Sequence, residues 1–346
     1  MRAFLAGGLV ALICVCTCAG ARGGQQAGET AAETVRSTVK NRDLWEAEER
    51  RARREADDSR RKLVCSLFSG VQYDDNITLE SMGVDAGEAD RTDWKQILAF
   101  RADFRAVNTE EHVLGLRYDL YQSFIDINDE LQLTGHTFTG YHTLMRAPHV
   151  FYTPLSVSRY NLYWHRYLDV YALKPTLFVE QSAHAAGVIR LEWSHYNYFH
   201  VAGNDFDEND RDANVFSIGG EEWLIFGDRG QHRLEGAYTL RREIAREEEW
   251  GSLSHKVRLG LGSQLPWGDL SVGGFVSYEG KDYGRENPAF RKKQEEDIMT
   301  YGLTLRRPLW KDASVSLSYL FTDNESNVTS QDYERSQFTL GVTVQF

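Results

Sequence analysis

The chain has 346 residues, of which 26% are charged, and a formal net charge of −12; its mean hydropathy is −0.48. After the amino terminus, no uninterrupted apolar run reaches the roughly 18 residues that a membrane-spanning helix needs, which excludes helical membrane spans. The acidic balance argues against a general nucleic-acid-binding protein, because such proteins carry a basic surface for phosphates.

Residues 1–21 have the pattern of a secretory signal peptide. A Met1-Arg2 start precedes an apolar stretch over residues 3–16, and Ala19-Gly20-Ala21 places small residues two apart, as a cleavage site requires. Cleavage there removes Cys14, Cys16 and Cys18. Cys65 is then the sole mature cysteine, so no intramolecular disulfide is expected. The alternative is that one of these three cysteines is retained and acylated, as in a lipoprotein. Lipoprotein acylation favours Gly, Ala or Ser before the cysteine, but here Ile, Val and Thr precede the three cysteines.

Residues 22–62 have a different character and form a charged extension. After Gly28 the segment contains neither Pro nor Gly and is rich in Ala, Glu and Arg, which predicts a helix. Its apolar residues form a short stripe, and its second half is polar on all sides. We expect a solvated extension. The alternatives are a plug inside the following domain and a coiled coil between protomers.

Residues 63–346 divide into about fourteen amphipathic strand candidates, and the connections between them alternate in length. The short connections are residues 108–111, 147–149, 227–230, 266–269 and 311–312. The long ones are residues 74–93, 126–134, 201–214, 243–252, 280–297 and 322–332. Short turns at one end and long loops at the other are typical of an outer-membrane β-barrel, with the short turns in the periplasm. A β-propeller or β-sandwich is the alternative, but neither predicts this alternation.

The last strand candidate carries a period of two to the carboxy terminus. One face holds Phe338, Leu340, Val342, Val344 and Phe346. The other face is small or polar, so the strand presents one side to lipid and one to a wet lumen. A terminal strand of this kind, ending on an aromatic residue, is typical of outer-membrane barrels, and we expect the barrel-assembly machinery to recognise it.

Charged side chains lie opposite the apolar faces of the predicted strands and should therefore line the lumen. In the second strand, for example, Leu98 and Phe100 lie outward and Arg101 inward. The predicted lumen and selectivity residues are Arg101, Asp103, Arg105, Arg117, Asp119, Arg190, Glu192, Arg233, Glu235, Arg241, Lys256, Arg258 and Arg306. Basic residues dominate this set, so an open pore would favour anions. The alternative is that the charges pair across neighbouring strands and brace a closed or narrow barrel.

Aromatic residues are frequent at the predicted strand ends and in the loops beside them. They predict girdles at the membrane interface, where amphipathic rings are favoured. The set is Tyr73, Trp94, Phe124, Tyr152, Tyr160, Tyr163, Trp164, Tyr167, Tyr196, Tyr198, Trp223, Trp250, Trp267, Tyr278 and Trp310. The alternative is a stacking track for sugar rings along the passage.

The two ends of the predicted barrel resemble known families. The first strand ends in Gly70-Val71-Gln72-Tyr73-Asp74-Asp75-Asn76-Ile77, which is similar to the Y-D-[DS]-N-[IV] signature of β-barrel porins and of the carboxy-terminal barrels of surface lipoprotein assembly modifiers. The last hairpin of the assembly modifiers resembles Asn324-Glu325-Ser326-Asn327, Asp332-Tyr333-Glu334-Arg335 and the strand that follows. The resemblance implies an outer-membrane barrel that passes something across the membrane. Such modifiers generally carry a tetratricopeptide-repeat domain before the barrel, and residues 28–62 are too few to hold one.

An acidic stretch over residues 204–212 has part of the spacing of a calcium loop. Asp205, Asp207 and Asn209 match its first ligands. Asp210 and Phe216 stand where an EF-hand requires Gly and Glu, so a regular EF-hand is excluded. Loose binding of calcium or magnesium by these three residues is the alternative to a solvated loop.

Histidines offer candidates for a hydrolase at the barrel rim. They are His136, His142, His165, His184, His195 and His200. No spacing of His, Ser and Asp among them matches a known catalytic arrangement. We therefore expect no enzyme activity.

The sequence thus predicts an all-β, transmembrane, antiparallel up-and-down barrel of about fourteen strands in the outer membrane of a Gram-negative bacterium, reached by signal-directed export. The leading functional interpretation is a porin-like channel for small anionic or saccharide-like solutes, without a cofactor. The second is a non-conducting barrel for assembly or export of surface lipoproteins or polymers, and the third is a hydrolase. Expected partners are outer-membrane lipid and lipopolysaccharide, the barrel-assembly machinery and a periplasmic protein bound by the amino-terminal helix.

Overall fold

The computed structural model describes residues 62–77, 92–127, 131–182, 184–199, 211–227, 231–265, 269–287 and 291–346. The predicted signal peptide and helical extension lie outside these residues and stay predictions. The strands are β1 (Leu63–Asp74), β2 (Asp93–Asn108), β3 (His112–Ile125), β4 (Leu133–Arg146), β5 (His149–Leu162), β6 (His165–Leu173), β7 (Thr176–Ser182), β8 (Ala185–Tyr198), β9 (Ala213–Phe226), β10 (His232–Ala245), β11 (Ser252–Gln264), β12 (Ser271–Asn287), β13 (Lys292–Trp310), β14 (Ala313–Ser326) and β15 (Tyr333–Gln345). Within the described ranges, no helix is both long and apolar enough to cross a membrane.

The strands form one closed antiparallel sheet with fourteen strand positions. Neighbours in sequence pair with each other, and β1 pairs with β15 to close the barrel. β6 and β7 share one position between β5 and β8. The interruption between them falls at Lys174-Pro175, because proline has no N–H to donate to a neighbouring strand. The predicted up-and-down barrel is confirmed.

The outer face of the barrel is apolar. Leu259 on β11 and Leu340 on β15 are exposed, whereas alternate residues of the same strands point into the barrel. The carboxy-terminal residues predicted to share the outer face, including Phe338 and Phe346, lie on it. A closed barrel with an exposed apolar exterior is suited to a lipid bilayer.

The barrel has a short-turn end and a long-loop end. Ser66, near the start of β1, pairs with Gln345 at the end of β15, so both barrel termini lie with the short turns, at the end we place in the periplasm. The prediction of a long loop at residues 280–297 is wrong over most of its length, since β12 and β13 extend into it. In the loops predicted at residues 243–252 and 322–332, strand covers only the ends, from β10, β11 and β14. At these strand ends, backbone pairing continues where the sequence has no apolar face that would reveal a strand.

The family signature at Tyr73 to Asn76 lies at the seam where β1 meets β15. Asp74 is fully buried and accepts two hydrogen bonds from Arg335, from Nε to Oδ1 over 2.9 Å and from Nη2 to Oδ2 over 2.6 Å. Lys95 of β2 donates from Nζ to Oδ2 over 2.7 Å. Both cations are themselves buried. One carboxylate therefore ties together β2, β1 and β15.

Asp75 and Asn76 bind the backbone of β15 beside this cluster. The Ser336 N–H donates to Asp75 Oδ1 over 2.5 Å, and the Asp75 N–H donates to Ser336 O over 3.2 Å. Asn76 Nδ2 donates to Glu334 O over 2.8 Å. The two motifs of the resemblance, far apart in the chain, therefore meet and close the barrel.

We expect Asp74→Asn to destabilise the barrel by about 3–5 kcal/mol, because two buried cations then lose the charge that compensates them. The free energy of unfolding in urea, measured on the purified barrel, checks this. Glu325→Gln is the control, since Glu325 is exposed at the same end and should change stability by less than about 0.5 kcal/mol. Equal small effects of both changes would contradict the role of Asp74 at the seam.

We expect Leu259→Arg to destabilise the barrel by about 2–4 kcal/mol, because it places a charge on the lipid face near the middle of β11. Gly262→Ser is the control on the inward face, where an added Cβ meets nothing within 4 Å. Gly260 would be a poor control, because the Glu235 side chain already occupies the space beside it. Refolding yield in lipid vesicles and urea titration measure both variants; equal losses would contradict the orientation of β11.

Candidate functional site

The residues predicted to line the lumen lie on the inward face of the strands. On β2, Arg101 and Asp103 alternate with Phe100 and the exposed Phe104. The remaining predicted lumen residues, up to Arg306 on β13, likewise alternate with outward apolar residues and face inward. Their role in selecting a solute stays a prediction.

Most of these charges are paired with an opposite charge, either on a neighbouring strand or two residues away on the same strand. Arg101 and Arg117 both contact Asp119, the second over 3.4 Å. Arg233 and Arg258 both contact Glu235 over 3.0 Å. Such contacts are expected if the lumen charges neutralise one another and brace the barrel, which is the alternative to an anion-selective pore.

Several inward carboxylates are absent from the sequence-derived set, and four of them lie on β9, β10, β12 and β13. These four pair with lumen cations as follows: Glu221 with Arg190, Glu243 with Arg241 over 3.6 Å, Glu279 with Lys256 over 3.2 Å, and Glu296 with Lys281 over 3.0 Å. Glu243 and Glu296 lie in segments that were predicted to be loops. Glu221 and Glu222 are consecutive, so the sequence does not show which of the two side chains faces inward. With these carboxylates included, the interior is closer to charge balance than the sequence-derived set alone.

The members of these pairs differ in their access to the lumen. The side chains of Arg190 and Lys256 are 39% and 33% exposed, whereas those of their partners Glu221 and Glu279 are 12% and 9% exposed. The wall formed by β8 to β12 therefore presents cations above covered carboxylates. Such a surface attracts anions even where the total charge is nearly balanced.

A buried apolar cluster occupies the lumen side at the long-loop end. Its members are Leu133, Tyr160, Leu162, Tyr167, Leu168, Tyr196, Tyr198 and Val215. The prediction that its four tyrosines belong to an interfacial girdle is therefore wrong. A tyrosine at a strand end suits either face, because its ring is apolar and its hydroxyl can hydrogen bond. Trp94, Trp164 and Trp310 are exposed at or beside strand ends, as a girdle requires.

His136, His142 and His195 face outward on their strands rather than toward a lumenal rim, whereas His165 at the start of β6 pairs with the inward-facing Leu162. Tyr118 OH lies 2.9 Å from His136 Nδ1. His142 Nε2 lies 3.1 Å from His112 Nδ1. The sequence did not indicate a histidine–serine pair on β10 and β11, where His232 Nδ1 lies 2.8 Å from Ser263 Oγ. The candidate His200 lies outside the described residues.

In the part of the chain that the structure describes, no group of three or more His, Cys, Asp or Glu side chains could hold a metal ion. The candidates Asp205, Asp207 and Asn209 fall outside it, so loose cation binding by that loop stays a prediction.

Glycines leave a depression in the outer wall of β7 to β10. Gly187 and Gly236 flank Glu222 in register, and Gly220 lies one outward position away on β9. The depression has a volume of about 510 Å³. We call it the wall depression.

The wall depression contains a polar pair within an otherwise apolar surface. Glu222 is exposed and accepts a hydrogen bond from Gln181 Nε2 over 3.2 Å. The exposed Leu224 and Phe226 follow Glu222 on the outer face toward the short-turn end. The wall depression therefore lies in the half of the wall nearer the short turns.

Comparison with solved structures finds other barrels at low sequence identity. A loop-deleted variant of OmpT, an outer membrane protein of Vibrio cholerae, matches with a TM-score of 0.47 and 8% identity over 82% of this chain and 98% of that chain. An anion-selective porin from Comamonas acidovorans matches with a TM-score of 0.43 and 9% identity over 82% and 98%. OccAB3 of Acinetobacter baumannii matches with a TM-score of 0.45 and 8% identity over 82% and 98%.

Comparison with curated proteins finds no match. Comparison with family models matches residues 129–346 to the surface lipoprotein assembly modifiers. The matched residues make up more than half of the chain and extend from β4 to β15, so they include the cationic lumen wall, the wall depression and the Arg335 side of the seam. The chain belongs to the surface lipoprotein assembly modifier family.

Proposed function

We propose that this barrel takes part in bringing lipoproteins to the bacterial surface. The observation that carries the proposal is the family match, which falls on the barrel itself and extends from β4 to its last strand. The sequence interpretation of assembly or export therefore ranks ahead of the solute channel.

The wall depression supports this proposal through its position in the membrane. A lipoprotein that reaches the outer membrane from the periplasm holds its acyl chains in the inner leaflet. The wall depression lies in the periplasmic half of the outer wall, which is the level of that leaflet. A lipid anchor can therefore reach it by lateral diffusion.

The chemistry of the wall depression suits a lipid anchor. Inside a bilayer, association depends on close packing and hydrogen bonds, and small residues permit the closest approach. Gly220 and Gly236 provide such an approach, since an added Cβ meets nothing within 4 Å at the first and Leu259 Cδ2 at 3.7 Å at the second. The Glu222 carboxylate can accept a hydrogen bond from an amide N–H at the base of a lipid anchor. The Gln181 side-chain amide, which donates to Glu222, can donate its second N–H to an ester carbonyl of the anchor.

Filling the wall depression should reduce lipoprotein delivery. In cells that lack this chain, we expect the wild type to restore surface lipoproteins, and a variant with Gly220→Leu and Gly236→Leu to leave them near the level of the deletion. The physical reason is that two added side chains occupy the space an acyl chain would fill. Labelling of intact cells with a membrane-impermeant reagent, compared with total lipoprotein, measures delivery.

Gly140→Leu is the matched control for this experiment. Gly140 faces outward on β4, away from the wall depression, and an added Cβ there meets Leu116 Cδ2 at an ordinary 3.8 Å. It should restore delivery as the wild type does. Unchanged surface lipoproteins in the deletion strain would refute the proposed function, whereas full delivery by the double variant would refute only the wall depression as the contact.

A solute channel is the second candidate, favoured by the exposed lumen cations. Arg190 and Lys256 present their charges to the lumen, while Glu221 and Glu279 lie beneath them. In a narrow passage, fixed positive charge raises the local concentration of anions. This candidate therefore concerns small anionic solutes.

We expect the channel, if open, to prefer anions in reversal-potential measurements under a salt gradient across a planar bilayer. Replacing Arg190 and Lys256 by Gln should lower or reverse the preference, because Glu221 and Glu279 then lose their compensating charges. Arg242→Gln is the control, since Arg242 is exposed on the outer face of β10. Absence of conductance, or cation preference in the unmodified protein, would refute the anion channel.

A further inference from the structure

A polar patch interrupts the apolar exterior at the long-loop end of β4 to β8. Its central row runs across four strands, with His136 opposite Arg159, Arg159 opposite Asp169, and Asp169 opposite Asn197. Arg159 has the same parity as the exposed Leu155 and Val157, so the row faces outward. We call Arg159, Arg166 and Asp169 the arginine patch.

The arginine patch holds two guanidinium groups on one covered carboxylate. Arg159 donates from Nε to Asp169 Oδ1 over 3.0 Å and from Nη2 to Oδ2 over 3.1 Å, and Arg166 contacts the same two oxygens. The Asp169 side chain is 3% exposed, whereas those of Arg159 and Arg166 are 52% and 42% exposed. The patch therefore carries one net positive charge, and its exposed atoms belong to the cations.

The surroundings fix the arginine patch in place and give it an apolar base. Arg166 also stacks on Phe199, with Cζ 3.6 Å from the ring centroid. Toward the periplasm, the exposed Phe138, Leu155 and Val157 continue the same wall. Positive charge thus lies directly above an apolar surface at the outer boundary of the membrane.

The charge of this side contrasts with the opposite side of the barrel. Near the long-loop ends of β13, β14 and β15, the outward positions carry Asp297, Asp323 and Glu334. The arginine patch thus differs in charge from the exterior of β13 to β15 at the same level, in a chain whose formal net charge is −12. A ligand of the arginine patch should therefore be an anion held at the membrane surface.

We propose that the arginine patch binds a phosphate group of lipid A, the membrane anchor of lipopolysaccharide in the outer leaflet. A planar guanidinium matches phosphate through two parallel charge-assisted hydrogen bonds, and a pair of them can hold one phosphate from two sides. The acyl chains of lipid A lie below its phosphates, as Phe138, Leu155 and Val157 lie below the arginines. Charge and apolar surface are therefore arranged in the same order in the protein and in the lipid.

The test measures binding of purified lipid A to the full mature chain in detergent, by native mass spectrometry and by titration. Arg159→Gln with Arg166→Gln should weaken binding about tenfold or more, because charge-assisted bonds to phosphate are lost. Dephosphorylated lipid A should bind the wild type as weakly as intact lipid A binds the double variant. Arg242→Gln, an outward arginine near the long-loop end of β10, is the control and should bind as the wild type does.

A second variant covers the case in which the double change prevents folding, since Asp169 would lose both partners. Adding Asp169→Asn removes the uncompensated charge and should restore the fold while binding stays weak. Wild-type affinity in either folded variant, or equal affinity for dephosphorylated lipid A, would overturn the proposal. Displacement of lipid A by millimolar inorganic phosphate would also overturn it, because the site would then select free phosphate.

Discussion

Closure of the sheet is the constraint on which the other features depend. In a bilayer each unpaired backbone group costs several kcal/mol, so a sheet can span the membrane only when its first and last strands pair. At this seam Asp74 receives Arg335 from β15 and Lys95 from β2. Removing one partner would leave a buried charge uncompensated, so the cluster favours the closed register over any slipped one.

Closure also separates two surfaces with different chemistry. Inside, large rings cover inward glycines: Phe68 lies on Gly70 and Gly341, and Tyr141 lies on Gly115 while donating to Asp103 over 2.5 Å. Outside, the wall is apolar apart from features such as the wall depression and the arginine patch. These two lie on the same side of the barrel, between β4 and β10, with the first nearer the short turns and the second at the long-loop end. We propose that this side of the barrel contacts lipid groups in both leaflets.

Local features of this protein could be predicted from its sequence, whereas features that depend on a neighbouring strand could not. Strand number and outward residues such as Leu259 follow from a period of two. The loop predicted at residues 280–297 is mostly paired strand, because backbone pairing needs no apolar face. Tyr196 and Tyr198 suit either face of the barrel, and only their neighbours show that they point inward. Likewise, only the position of Glu235 on the adjacent strand shows that the space beside Gly260 is already filled.

The sequence by itself determined the two-faced strands, their alternating connections and hence an outer-membrane barrel, because successive side chains of an extended chain point to opposite sides. Tertiary structure alone decided which charges meet: Asp74 and Arg335 become neighbours only through closure, and Glu221 faces Arg190 only through the register of β8 and β9. It also decided that the lumen cations stand above their carboxylates and that Gly187, Gly220 and Gly236 line one depression. These arrangements depend on hydrogen-bond register between strands, which no single strand's sequence contains.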